Sequence, residues 1–185
     1  MRSRSRKPAT PLDEDGLYSY AVKALGRQMR TVAELKRLLR RRVEAGEAGT
    51  AKADAVVARL KEYKFLNDTA YAQDYTKLRQ ENASLGQRRV RQDLARKGVA
   101  AELIGRTLEA AYAEVNEEEL ARRHLERKRV KKPASAKEAA RVARMLMRAG
   151  FGPGVIYRIL KQWDVEAEGL AALDEADDGE KADQE

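Results

Sequence analysis

The chain has no cysteine, one histidine, two phenylalanines and one tryptophan among its 185 residues. Without cysteine there is no disulfide framework, no thiol nucleophile and no cysteine–zinc site. Aromatic residues make up 5% and charged residues 37%, so any core must be thin. No stretch approaches the roughly 20 apolar residues of a membrane span, and the opening MRSRSRKPATP has no apolar h-region. Neither a membrane nor a secretory address is therefore expected. The β-branched runs of strands are missing too. What abounds is leucine, alanine, arginine and glutamate, all good helix formers. The expectation is an all-α, soluble and cytoplasmic protein. It is read as a monomer, because no extra apolar face is left for a dimer.

Catalysis is not expected. His124 alone would have to serve any Ser-His-Asp triad, and no serine stands in a G-x-S-x-G elbow. No G-x-x-x-x-G-K-[ST] loop occurs. GFGPG at 150–154 follows no strand, so it reads as a glycine stop with Pro153 opening the next helix. His124 itself reads as a surface residue on a basic helix. Carboxylates are scattered over charged faces rather than paired on apolar ones, which argues against a metal site. Asp68 reads as a turn or N-cap residue. No enzyme activity, cofactor or metal is predicted.

The helices announce themselves by punctuation. S/T-x-x-E/Q capping boxes stand at Thr31/Glu34, Ser84/Gln87 and Ser135/Glu138, at spacings of 53 and 51 residues. Each opens an apolar stripe that a glycine is read to close: Gly46, Gly98 and Gly150. A period near fifty points to a supersecondary unit used three times, with boundaries 17–67, 68–116 and 117–163. Three helices are predicted in each: 15–29, 32–44 and 52–64; then 69–82, 86–97 and 100–115; then 117–130, 136–149 and 154–163. Residues 44–51 and 130–135 read as loops. No unit holds enough apolar residues for a core of its own, so neighbours must stack, and an elongated, curved array of tandem three-helix repeats is expected. Tyr63, Phe65, Tyr71, Tyr75, Tyr112, Tyr157 and Trp163 are read as core and inter-unit packing, not as base-stacking platforms.

Charge is uneven. Residues 164–185 hold ten acids against Lys181, while the rest of the chain holds 37 bases against 20 acids. The acidic tail reads as solvating and disordered, with folding back over a basic surface as the alternative. Residues 1–16 read as a disordered basic segment. Arginine and lysine cluster at Arg40, Arg41 and Arg42, at Arg88, Arg89, Arg91 and Arg96, and at Arg127, Lys128, Arg129, Lys131 and Lys132. Such positive surface binds polyanions through counterion release, so weak DNA binding, single- or double-stranded and without sequence specificity, is expected.

SLGQRRVRQDLARKGV (84–99), FLNDTAYAQDYTKLR (65–79), MLMRAGFGPGVIYRILKQW (145–163) and YSYAVKALGRQMRTVAELKRLL (18–39) resemble the RecX family, the bacterial regulators of the RecA recombinase. The resemblance covers about 17–163. It implies tandem three-helix repeats, no catalytic residues, and binding along RecA filaments on DNA with restraint of strand exchange and ATP hydrolysis. The basic clusters, the one framed by the 84–99 motif first, are then the contact candidates. The chain departs from the family pattern after Leu39, where Val43 stands near a position at which glycine is common. Two rival readings remain: a helix-turn-helix transcriptional repressor built on 31–60, and a plain helical scaffold. Against the repressor, an eight-residue connection is long for that motif, and TAKADAVVARLK is poor in base-reading side chains.

Overall fold

The structure, a computed structural model, describes residues 11–163 as nine α-helices with no strand. Residues 1–10 and the acidic 164–185 lie outside the described residues, and so do the readings made of them. In chain order the helices are α1 (Glu14–Arg27), α2 (Val32–Leu39), α3 (Glu47–Glu62), α4 (Asp68–Ala83), α5 (Gln87–Arg96), α6 (Ala101–Tyr112), α7 (Glu117–Arg127), α8 (Ala136–Arg148) and α9 (Pro153–Gln162). The all-α architecture in tandem three-helix groups agrees with the periodicity.

Local chemistry accounts for most starts. Asp13 accepts from the Gly16 N–H ahead of α1, and Asn116 accepts from Glu118 and Glu119 ahead of α7. The Thr31/Glu34 capping box is complete, and Ser135 accepts from the Glu138 N–H. Pro153 takes the first turn of α9, where its missing N–H costs nothing.

Two boundaries in the first group differ from the expectation. α2 ends at Leu39, not near 44. The chain tightens into three-residue turns (Arg41 N–H to Leu38 O, 3.4 Å; Arg42 N–H to Leu39 O, 2.8 Å), and the Leu12 N–H takes the Arg42 carbonyl at 2.7 Å. Gly46, with φ of 107°, precedes α3 rather than closing α2, and α3 begins at Glu47 inside the expected loop. The third difference is at Ser84. It is buried with φ of 47°, and its N–H donates to Gln80 O, so it terminates α4 instead of capping α5. Gly86 precedes α5 in its place.

The chain forms two compact units. Among the described residues, one comprises 11–72 and 95–103, and the other 73–94 and 104–163. The first has a core of Leu17, Ala21, Leu35, Leu39, Ala53, Val56, Val57, Leu60 and Leu66. In the second, Val90, Leu94, Leu108, Leu120, Leu146, Phe151, Ile156 and Leu160 are buried. At about 25 cal/mol per Å² of apolar area, such aliphatic layers supply the main driving force for helices that are polar on their outer side.

Candidate polyanion interface

The motif helix α5 buries Val90 and Leu94 completely and leaves Arg88, Arg91 and Arg96 exposed. Arg89 is different. Its guanidinium pairs with Asp93 at 3.2 Å, and Asp93 is buried and also accepts from the Tyr75 hydroxyl at 3.1 Å. Burial raises the Tyr75 pKa. Arg89 is therefore engaged within its own unit through Asp93. Arg96 falls in the first unit, while Arg88, Arg89 and Arg91 fall in the second.

The two ends of α5 are docked by the same device. In the first unit the Lys97 carbonyl, at the end of α5, accepts from the Thr31 hydroxyl at 2.6 Å, at the start of α2. Gly98, with φ of 81°, lies so close to Ala33 that a Cβ there would come within 2.4 Å of the alanine methyl. The Lys97 ammonium pairs with Glu34 at 2.9 Å and stands 5.5 Å from the Tyr71 ring centroid. Burial works to lower the Lys97 pKa, but bonding to Tyr71 and Glu34 outweighs it and the net direction is up. In the second unit the Gly86 N–H, at the start of α5, donates to the Ala149 carbonyl at 2.9 Å, at the end of α8. Gly150, with φ of 92°, closes α8 in a Schellman turn: Phe151 N–H reaches Leu146 O at 3.1 Å, and Phe151 is buried. Each junction satisfies carbonyls that a helix end leaves without intrahelical partners.

Of the other basic clusters, Arg40 and Arg41 are exposed, whereas Arg42 is half-buried over the Tyr20 ring at 4.7 Å. Arg127 is exposed but donates to the Asn82 carbonyl. The remaining four line one place. Between the end of α7 and α8 lies a cavity of about 450 Å³, walled by Val130, Pro133, Val142 and Met145. Lys128, Arg129, Lys131 and Lys132 rim it together with Arg141, against a single acidic lining residue, Glu138. The spacing of the run 127–132 flagged four of these five cations; Arg141, on the facing helix, went unremarked. Arg129 holds φ of 52°, the left-handed turn that ends α7, with the Val130 N–H bonded to Leu125 O at 3.0 Å.

Three further sequence readings are corrected here. His124 is buried, not on the surface: Nδ1 lies 2.9 Å from the Ala83 carbonyl, which can only accept, so Nδ1 carries the proton. Its ring meets Phe151 edge-on at 6.1 Å. Asp68 caps no turn of its own. Asn67 accepts from Thr69 and Ala70 at the start of α4, and the Asp68 carboxylate accepts from the Val32 N–H of α2 at 2.8 Å. Tyr63, Phe65 and Tyr157 are exposed rather than core; Lys64, at φ of 59°, turns the chain between the first two at the end of α3. Tyr71 and Tyr112 are buried, and the Tyr112 hydroxyl donates to Leu85 O at 2.8 Å.

Away from the cavity, α7 is tied down by an acid. Glu118 accepts from Gln162 at 2.7 Å and pairs with Arg158 at 3.1 Å and with Arg122, tying α7 to α9. These contacts, the Gln162 bond foremost, hold its carboxyl below the usual carboxylate range. Among the described residues no three His, Cys, Asp or Glu side chains converge as a metal would require, and no helix is long and apolar enough to cross a membrane. What the described site offers a ligand is positive charge over an apolar floor.

A protein-family model described as the second three-helix domain of RecX matches residues 67–108, and one described as the third matches 116–160. A protein named Regulatory protein RecX from Deinococcus radiodurans is 33% identical over 164 residues, covering 86% of this chain and 74% of its own length. Its namesake from Myxococcus xanthus is 34% identical over 175 residues, covering 86% and 92%. The fold matches the crystal structure of RecX from Lactobacillus salivarius with a TM-score of 0.66 at 20% identity, over 82% of this chain and 96% of that one. A second crystal structure, of a regulatory protein RecX, matches with a TM-score of 0.66 at 23% identity, over 80% and 71%. With relatives so named at a third identity over most of both lengths, the chain belongs to the RecX family of regulatory proteins.

Proposed function

We propose that this chain binds the RecA filament on DNA and restrains its ATP hydrolysis and strand exchange. The observation that carries the reading is the α7–α8 cavity, where Lys128, Arg129, Lys131, Lys132 and Arg141 face one acid. A cluster of this kind gains affinity by releasing counterions from a polyanion and steers association with acidic protein surface. The exposed Arg40, Arg41, Arg88, Arg91 and Arg96 extend the same chemistry. Arg89, Arg42 and Arg127 each also make a contact within their own unit and rank behind the cavity cations. The regulator works as a cytoplasmic monomer without a cofactor, its three repeats 17–67, 68–116 and 117–163 meeting successive parts of the filament. DNA alone is held weakly and without sequence preference. Inhibition then arises by obstructing the subunit motions that accompany ATP turnover.

The test is binding to preformed filaments of RecA on single-stranded DNA, read by anisotropy of the labelled chain. Replacing Lys128, Arg129, Lys131 and Lys132 with Ala is expected to weaken binding at least about tenfold near 0.1 M salt and to flatten its salt dependence. Arg88→Ala with Arg91→Ala is the cleaner probe of α5, since Arg89→Ala would strip Asp93 of its ion pair. Unchanged affinity in both variants refutes the assignment of contacts.

A further inference from the structure

We propose that the α7–α8 cavity is occupied, in the free protein, by the chain's own acidic segment, residues 164–185, and that a polyanionic partner binds there by displacing it. Three observations lead to this occupant. The first is where the described chain ends. Trp163 closes α9 and, with Leu125, Ile159 and Val130, lines a recess of about 140 Å³. Val130 also lines the basic cavity, so Trp163, the last described residue, lines a recess that shares a wall with it. The second is charge: five cations against one acid in the cavity, ten acids against one lysine in the segment. The third is length and pattern. Twenty-two residues reach up to roughly 3.3–3.6 Å each, so the span sets no limit, and Val165, Leu170 and Leu173 are available for the apolar floor formed by Val142 and Met145.

Single exposed ion pairs are weak, and docking of this kind rests on several made at once by a tethered ligand. Tethering supplies an effective concentration on the order of millimolar. A polyanion must then compete with the segment, and salt weakens both contacts. Docking is a property of the free chain; only the competition rests on the function proposed above.

The chain has no native cysteine, so Ala182→Cys gives a single site for a nitroxide label in the segment. The expected result is paramagnetic broadening of the Val130–Lys132 and Arg141 amides near 50 mM salt, relieved near 1 M salt and when the ten acids are changed to Asn and Gln. Absence of broadening there, or broadening elsewhere in its place, overturns the proposal. So does equal broadening when labelled and isotope-enriched chains are separate molecules, since the occupant is then a second copy. The competition is read with a labelled oligothymidylate. Neutralising the segment is expected to tighten binding roughly tenfold in the parent but not in the Lys128/Arg129/Lys131/Lys132→Ala background. An equal gain in both backgrounds shows diffuse repulsion and overturns cavity docking. No oligonucleotide binding by any variant counts against the polyanion reading above, while the broadening result still decides the docking.

Discussion

Arg129 keeps φ at 52°, in a region where a side chain other than glycine costs about 1–2 kcal/mol. Gly98 and Gly150 fill the corresponding place after α5 and α8. An arginine held there against its backbone preference, on the rim of a cationic cavity, fits a side chain kept for what it binds. Arg129→Gly is therefore expected to raise stability by roughly 0.5–1 kcal/mol, less than the full strain because glycine loses more backbone freedom on folding. Urea unfolding should show a higher midpoint at unchanged slope, with weaker filament binding in the same variant. A lower midpoint would mean that the arginine stabilises the turn. Glu118 makes the complementary case. Its folded pKa lies below the unfolded value of about 4.3, so its contribution is present above that value and is lost as pH falls through the folded one. Glu118→Gln should flatten the acid limb of melting temperature against pH below about 4.3, and leave the neutral region little changed in slope. An identical acid limb in parent and variant would contradict this.

At the scale of elements, the junctions explain why α5 is cut short at both ends. Each end delivers or receives a backbone group: Lys97 O to Thr31, and Gly86 N–H to Ala149. A Cβ on Gly86 would sit 2.4 Å from the Gly150 carbonyl oxygen. Backbone cannot yield as a flexible side chain does, so Gly86→Ala is expected to cost about 1–3 kcal/mol in chemical unfolding, whereas an Ala substitution at exposed Gly26, where nothing approaches, should cost little. Equal stability of the two variants would remove the junction from the account. The helices themselves were legible in the sequence, because stripes such as Val90/Leu94 and Ile156/Ile159 repeat at helical spacing and because Gly98 and Gly150 sit where φ must be positive. Less legible was punctuation with two meanings. Ser84 fits a capping pattern yet ends the preceding helix, and Gly46 stands where a stop was expected yet precedes α3. Long-range partners were invisible altogether. His124 is buried against a carbonyl 41 positions away, Asp68 caps a helix 36 positions away, and Arg141 joins the cavity from the facing helix. Lys64 in a left-handed turn sends Tyr63 and Phe65 outward, which helical periodicity does not reveal.

For the whole molecule, charge and family membership point the same way. The chain outside the acidic segment carries 37 bases against 20 acids, and its named relatives are regulatory proteins. The regulation proposed above needs no catalytic group, since obstruction of a moving polymer requires only affinity and placement. Of the twelve basic residues singled out in the sequence, Arg89, Arg42 and Arg127 also make contacts within their own units, with a carboxylate at i+4, an aromatic ring and a carbonyl that runs of arginine do not reveal. The measurement that bears most directly on the central claim is single-stranded-DNA-dependent ATP hydrolysis by the cognate RecA, titrated with the full chain. Regulation of the filament predicts loss of hydrolysis at less than one chain per recombinase, weakened when Lys128, Arg129, Lys131 and Lys132 are replaced with Ala. Hydrolysis unchanged at several-fold excess of the chain would contradict it.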